Sequence, residues 1–353
     1  MDSFKRAVEI SDQTLADIPK NPEKYRVLTG DRPTGTLHLG HYFGSLRNRI
    51  DLQGHGVNLF ILVADQQVLT DHENFSQISR LTRELVIDQM SVGIDFDNDR
   101  NFIFPHSQIP ELNQLLVPFI TLVSVSELER NPTVKEEIRS AQLENVSAGM
   151  LVYPVHQACD ILSVNANLVP VGKDQLPHME LTRTIAKRFN DKYSPENKIF
   201  CEPQALLSKT PSLKGLDGEQ KMSKSRKNAI MLNYTEDEIS LAVSKAKTDN
   251  DKFITYEPEN RSEVANLLIL ASLVTDKKPE EIAKDIGEGG AKMLKEYLVQ
   301  EINRFLTPIR ERRRELEKNQ DYVTKILRNG IARVREEASN MLSKVLMAMN
   351  MHL

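Results

Sequence analysis

Two short runs in the sequence carry residue types suited to phosphate chemistry. The first is Gly30-Asp31-Arg32-Pro33-Thr34-Gly35-Thr36-Leu37-His38-Leu39-Gly40-His41, a glycine-rich turn that should open a helix near Tyr42. Backbone N–H groups at a helix start present unpaired donors and a positive dipole end, and Gly40 lets a flat ring or a phosphate approach the backbone closely. The imidazoles of His38 and His41 can donate hydrogen bonds to charge developing on a phosphate. Two histidines capping a helix are the plain alternative. The second run, Lys221-Met222-Ser223-Lys224-Ser225, follows a Gly- and Pro-containing stretch from Pro211 to Gly218. It reads as a mobile loop whose lysines can close over a triphosphate, with a solvated patch of charge as the alternative.

A third position is a lone acid. Asp160 is flanked by Ala158, Cys159, Ile161 and Leu162, so it should be buried and need a donor against its desolvation. A substrate N–H would supply one; a protein group that Asp160 caps or bridges would be the structural alternative. Tyr153, on the same segment, is either part of such a site or an aromatic core residue.

The elements that must hold these groups alternate. Val27–Thr29, Asn58–Asp65, Asn101–Pro105 and Asn167–Val171 are short, apolar and β-rich, and read as buried strands. Between them, Ile78–Met90 and Leu176–Phe189 repeat near every 3.6 residues. That order predicts an α/β fold with a doubly wound parallel sheet. Residues 1–22 read as a leading helix broken by Pro19 and Pro22, and 23–232 as the sheet domain. From 233 to 353 only helical patterns remain: Glu236–Lys247, Arg261–Leu273, Lys292–Phe305 and Ile331–Met349. In the last of these, Ile331, Val334, Ala338, Met341, Val345 and Met349 form a seam better suited to packing back on the core than to a dimer zipper.

Composition sets the class. Of 353 residues, 40% are hydrophobic and 27% charged, and the formal net charge is −4, which suits an ordinary globular chain and not a protein that coats nucleic acid. One basic face that docks a particular RNA remains compatible with that charge. Cys159 and Cys201 lack the spacing of a zinc site and fit a reducing, cytoplasmic setting. The first twenty residues mix charges throughout and offer no signal-peptide core. The longest apolar run, Leu115–Val125, is about half a membrane span and contains Pro118, so a buried helix is expected there and no membrane segment.

The two phosphate-directed runs, in this order and at these places in the fold, resemble the HIGH and KMSKS motifs of class I aminoacyl-tRNA synthetases: His38-Leu39-Gly40-His41 and Lys221 to Ser225. Within that class, Thr29-Gly30-Asp31-Arg32-Pro33-Thr34-Gly35, Ser126-Glu127-Leu128-Glu129-Arg130, Tyr153-Pro154, Val169 to Gln175 and Glu180-Leu181-Thr182-Arg183 are similar to the tryptophanyl-tRNA synthetases. The likeness runs from about residue 25 to the C-terminus. It implies a tryptophan–tRNA ligase that forms tryptophanyl-adenylate from tryptophan and Mg²⁺-bound ATP and passes it to the terminal adenosine of tRNA(Trp). A homodimer is implied too, with the Leu115–Val125 helix as its candidate face; protein-bound zinc or an iron–sulfur cluster is not expected.

Carried over residue by residue, the resemblance puts ATP on Arg32, Pro33, Thr34, Gly40, His41, Gly172, Lys173 and Asp174, and on the loop residues Lys221, Met222, Ser223, Lys224 and Ser225. Leu213 would lie near adenine and Asp174 at a ribose hydroxyl. His38, His41, Lys221 and Lys224 would be catalytic. Asp160 would accept the indole N–H, Tyr153 and Gln175 would hold the ammonium group, and Gln157 would line the ring. The sequence departs from the family pattern at Arg32, where many members have Gln, and at Gln157, where a Met often packs on the indole. Tyr153, Gln157, Asp160 and Gln175 also resemble the pocket of tyrosyl-tRNA synthetases. Leu28, where that family places the tyrosine that bonds the substrate phenol, and KMSKS in place of its KFGKS-like form favour tryptophan. A non-catalytic, RNA- or amino-acid-binding relative is the alternative of another class, opposed by the intact His38, His41, Lys221 and Lys224. Helical residues 233–353 would read the anticodon, and Arg304, Arg310, Arg312, Arg313 and Arg314 form a basic cluster there that is either an RNA contact or a solvated helix face.

Overall fold

A computed structural model of the chain describes residues 3–70, 76–140, 146–207 and 213–351. Its centre is a five-stranded parallel sheet of β1 (Arg26–Asp31), β2 (Asn58–Val63), β3 (Asn101–Pro105), β4 (Leu168–Val171) and β5 (Gln204–Leu207), in the order β3-β2-β1-β4-β5. Successive residues of a strand point to opposite faces, and both faces are buried here. Val27, Leu59 and Ile61 pack with Leu46, Leu52 and Leu85 on one side. Leu28, Phe60 and Leu62 pack with Ile161, Met179 and Val334 on the other. This is the doubly wound arrangement, and its order reverses between β1 and β4, where ligands of such sheets sit at the carboxyl ends of the strands.

β5 is too short and too weakly patterned to stand out in the sequence; it is set by parallel pairing with β4 from Leu168↔Gln204 to Val171↔Leu207. Helix Ser3–Asp17 closes that edge: Ser11 Oγ donates to Ala205 O at 3.2 Å and accepts the Leu207 N–H at 3.0 Å. A side chain thereby satisfies an edge strand that would otherwise expose its polar groups.

The apolar run Leu115–Val125 is not one buried helix. Helix Pro110–Ile120 stops before Ser124, whose side chain and Glu127 cap each other at the start of a new helix, Val125–Glu129. Leu115 and Phe119 are buried, whereas Val117 is 68% and Val125 61% exposed.

The C-terminal helices share the main core: Ile239, Val243, Leu267 and Leu298 join the cluster that contains Val27 and Leu59. The last helix, Gln320–Ala348, lies against β3, and a Cβ on its Gly330 would come 2.2 Å from the Ile103 carbonyl oxygen. Val334, Ala338, Met341 and Val345 are buried beneath it. In the preceding helix, Gly290–Lys318, Arg310 and Arg313 are also buried and Arg312 donates to Ser91 O, so the basic cluster is partly internal scaffolding. Arg304 and Arg314 remain on the surface.

Candidate active site

β1 delivers the glycine-rich turn to the switch point. Asp31 at its end is held by Arg49 Nη1 and by Gln89 Nε2 at 2.8 Å, and Arg49, only 1% exposed, also donates to Thr29. Burial would raise the Asp31 carboxyl, but Arg49, His41 and Gln89 together bring it below its ordinary value. After the turn the chain enters helix Leu39–His41, which passes through a wide π-type turn, Tyr42–Leu46, into helix Arg47–His55. Wide turns of this kind often mark functional sites.

The two phosphate-directed runs meet here. Leu39 N–H donates to Ile230 O and Leu232 N–H to Leu37 O, both at 2.9 Å, so the chain just beyond Lys221–Ser225 is stitched to the histidine turn. Met222 faces Gly40: a Cβ built on Gly40 would sit 3.3 Å from Met222 Cβ and 2.9 Å from the His38 ring. The lysine loop is itself tied down, with Met222 N–H on Leu213 O and Ser223 N–H on Asn228 Oδ1. Residues 211–212, at the start of the loop region, lie outside the described residues.

The His38 and His41 rings lie 3.7 Å apart, and the His38 backbone N–H donates to His41 Nδ1. That acceptor role puts the hydrogen of a neutral His41 on Nε2. Burial, then His41 and Lys224, push His38 down to about 3; burial, Lys224 and Arg49 also lower His41 against the pull of Asp31. Both rings are therefore neutral near pH 7 and can still donate. Lys224 Nζ is buried without a hydrogen-bond partner among the described residues. Burial lowers its pKa, and Asp88 and Asp31 pull the other way. A buried ammonium with no partner is a place where an anion would be welcome.

A cavity of about 540 Å³ is lined by His38, Gly40, His41, Gly172, Lys173, Asp174, Leu213, Lys221 and Met222. Ser223 and Lys224 face a neighbouring recess of about 790 Å³ with Thr36, Arg226 and Lys227, and Ser225 contacts Ser223 at 2.9 Å. Arg32, Pro33 and Thr34 do not line the first cavity; Arg32 lies near enough to Tyr153 for its charge to act on the phenol.

A separate cavity of about 290 Å³ brings together Tyr153, Gln157 and Asp160 with Gln66, Gln67 and His156. Gln175 is not among its lining residues; its amide donates to Asp174 Oδ2 at 3.1 Å. Asp160 is 3% exposed, with Oδ2 on His106 Nε2 at 3.0 Å and Oδ1 buried without a partner among the described residues. Tyr153 donates to Glu137 Oε2 at 2.6 Å and contacts His178 Nε2 at 3.0 Å, while Asn131 Nδ2 contacts His178 Nδ1 at 3.2 Å. Burial and Glu137 push the Tyr153 hydroxyl well up, so it stays protonated. His106, Glu137 and His178 escaped the sequence reading because each is a single polar residue outside any pattern. His106 had one signal, its place directly after β3, at the ligand-binding end of the sheet.

His106, His156 and Asp160 also form a cluster whose candidate ligand atoms lie within 4.8 Å of one another. Nitrogen and oxygen ligands at about 2.0–2.1 Å from one tetrahedral ion stand about 3.4 Å apart, so this spacing fits a hydrogen-bonded pair with a neighbouring ring better than a coordination shell.

The profile of the family described as tRNA synthetases class I (W and Y) matches residues 20–307. A tryptophan–tRNA ligase from Streptococcus mutans is 42% identical over 337 residues, covering 92% of this chain and 98% of that protein. One from Clostridium longisporum is also 42% identical, over 330 residues, covering 90% and 95%. Among solved structures, a tryptophanyl-tRNA synthetase from Campylobacter jejuni, crystallised with ADP and tryptophan, aligns with a TM-score of 0.81 at 28% identity, covering 92% of this chain and 99% of that one. A tyrosyl-tRNA synthetase from Archaeoglobus fulgidus, at 22% identity and a TM-score of 0.65, shares the fold. The chain belongs to the class I tRNA synthetases of the W and Y type and, within them, to the tryptophan–tRNA ligases.

Proposed function

We propose that this chain activates L-tryptophan with ATP and charges tRNA(Trp). The observation that carries the choice of amino acid is Asp160: a buried carboxylate whose Oδ1 has no donor among the described residues, in a cavity of about 290 Å³. An indole N–H entering that cavity would supply the missing donor.

ATP would occupy the cavity between the two motifs, with adenine by Leu213 and Met222, ribose at Asp174, and phosphates toward His38, His41, Lys221 and Lys224. A carboxylate oxygen of tryptophan attacks the α-phosphorus. The new C–O–P linkage forms as the bond to the β-phosphate oxygen breaks, and pyrophosphate leaves with that electron pair. Neutral His38 and His41 donate hydrogen bonds to the phosphate oxygens, and the two lysines offset the charge on the departing pyrophosphate. Mg²⁺, carried in with ATP, supplies further neutralisation of the phosphates. A hydroxyl of the terminal tRNA adenosine then attacks the activated carbonyl and AMP departs; no side chain is acylated. The substrate ammonium would sit by Tyr153 and Gln175, and Glu137 adds a carboxylate beside the Tyr153 hydroxyl.

Residues 233–353 would read the anticodon, with Arg304 and Arg314 available to RNA phosphates. The exposed Val117 and Val125 favour a homodimer through that face, and no helix of the described residues is long and apolar enough to cross a membrane. We place this activity in the cytoplasm. Charging of a tRNA(Trp) transcript with labelled tryptophan tests the reading: efficient charging is the expected result, and charging of tRNA(Tyr) with tyrosine instead would refute it.

A further inference from the structure

We infer that His106 is a positioning residue for amino-acid selection: its Nε2–H holds one oxygen of Asp160 and thereby turns the other toward the ring N–H of the bound amino acid. The inference rests on the tryptophan reading above and extends it to a residue that does not line the pocket.

Asp160 lies in the last turn of helix Ala148–Ser163. There the unpaired carbonyls make the negative end of the helix dipole, an adverse place for a carboxylate that is also desolvated. A lone carboxylate could rotate with little preference about its terminal torsion, which is broad and roughly two-fold. The His106 contact at 3.0 Å removes that freedom, because it binds Oδ2 and leaves Oδ1 as the oxygen without a partner among the described residues.

His106 is itself fixed. It follows Pro105 at the carboxyl end of β3, is 1% exposed, and its neighbour Ser107 bonds Asp65 through both its N–H and its hydroxyl. The His156 ring packs edge-on against it at 4.8 Å, and His156 Nε2 is engaged by Asn113 Oδ1 at 3.1 Å. His106 Nδ1 is buried without a partner among the described residues, and because the Asp160 carboxylate can only accept, the hydrogen between the two side chains belongs to Nε2. Asp160 and Asp65 favour the charged imidazolium against burial, which strengthens the hold on the carboxylate.

The test compares wild type with His106→Leu, which removes the donor, and His106→Gln, which keeps an amide N–H within reach. ATP–pyrophosphate exchange is measured with tryptophan and with its benzothiophene analogue, which has the bicyclic shape without the N–H. In His106→Leu, kcat/KM for tryptophan should fall about 10- to 100-fold, the cost of a lost bond to a charged group. The analogue should fall much less, so the preference for tryptophan collapses; His106→Gln should restore most of it, and the KM for ATP should stay the same in both. Parallel losses for the two substrates in His106→Leu would overturn the inference and make His106 a packing residue. Should that variant not fold, His106→Asn, too short to reach Asp160, decides: a retained preference overturns the inference, and a collapsed one supports it. Failure of the tryptophan reading itself would show in wild type, as no preference for tryptophan over the analogue, before any variant is compared.

Discussion

Arg313 and Asp88 pair across the junction between the C-terminal helices and the sheet: Arg313 Nη1 donates to Asp88 Oδ1, while Asp88 Oδ2 accepts the Leu37 N–H at 2.8 Å, one residue before His38. Both are buried. Burial pushes Asp88 up to about 6 against the pull of Arg313, which leaves it ionised at neutral pH. Asp88→Ala should therefore lower unfolding free energy by about 3–5 kcal/mol, because the Arg313 charge stays buried with less compensation. It should also raise the KM for ATP by loosening the histidine turn. Urea unfolding reads the first effect, and an unchanged midpoint would show that the pair is not what anchors the turn.

At Gly330 the usual helix rule should reverse. In an ordinary helix Gly→Ala stabilises by about 1 kcal/mol. Here the added Cβ would meet the Ile103 carbonyl oxygen at 2.2 Å, which forces helix Gln320–Ala348 away from β3. Gly330→Ala should cost about 1–3 kcal/mol or more, as overpacking does. A higher melting temperature in the variant would contradict the close approach.

Lys224 stands against the glycine turn: a Cβ on Gly35 would lie 3.3 Å from its Nζ. In the mechanism proposed above its charge would matter most as the pyrophosphate leaves, so Lys224→Ala should lower kcat about a hundredfold or more with little change in the KM for tryptophan. Steady-state exchange kinetics separate the two constants. An unchanged kcat would remove the loop from the chemistry.

Stability should fall on mild acidification. His38 and His178 are pushed by burial to about 3 and about 4, so they stay neutral in the fold where the unfolded chain takes up protons near its ordinary value of about 6.5. Their contribution is present above about pH 6.5 and is lost as pH falls toward 4, at up to about 1.4 kcal/mol per pH unit for each. Asp88 has the opposite sign: its raised value lets the fold bind a proton between about 6 and 4, which offsets one histidine. From these three groups alone a loss of about 1.4 kcal/mol per unit is expected over that window, and His178→Gln should flatten that share. Denaturation curves at pH 7, 6, 5 and 4 test it; equal stability throughout would show that the two imidazoles are protonated in the fold.

The strands β1 to β4 were legible because buried parallel strands are written as short apolar runs, and the two motifs because their letters and order are fixed. β5 was not, since Gln204–Leu207 is defined by its pairing with β4. The Leu115–Val125 run misled because a capping box at Ser124 and Glu127 outweighs apolar continuity. Cavity membership was legible for His38, Gly40, His41, Gly172, Asp174, Tyr153 and Asp160. What the sequence could not show was how these residues are held: the stitching of Leu39 to Ile230, the Asp31–Arg49 pair and the His106–Asp160 contact all join residues far apart in the chain.

We propose that the two motifs and the Asp160 pocket together activate tryptophan. Amino-acid-dependent ATP–pyrophosphate exchange, run with wild type over all the standard amino acids, tests it most directly. Exchange should appear with tryptophan far above tyrosine and phenylalanine and at background with the rest; exchange led by tyrosine, or none with any amino acid, would contradict it.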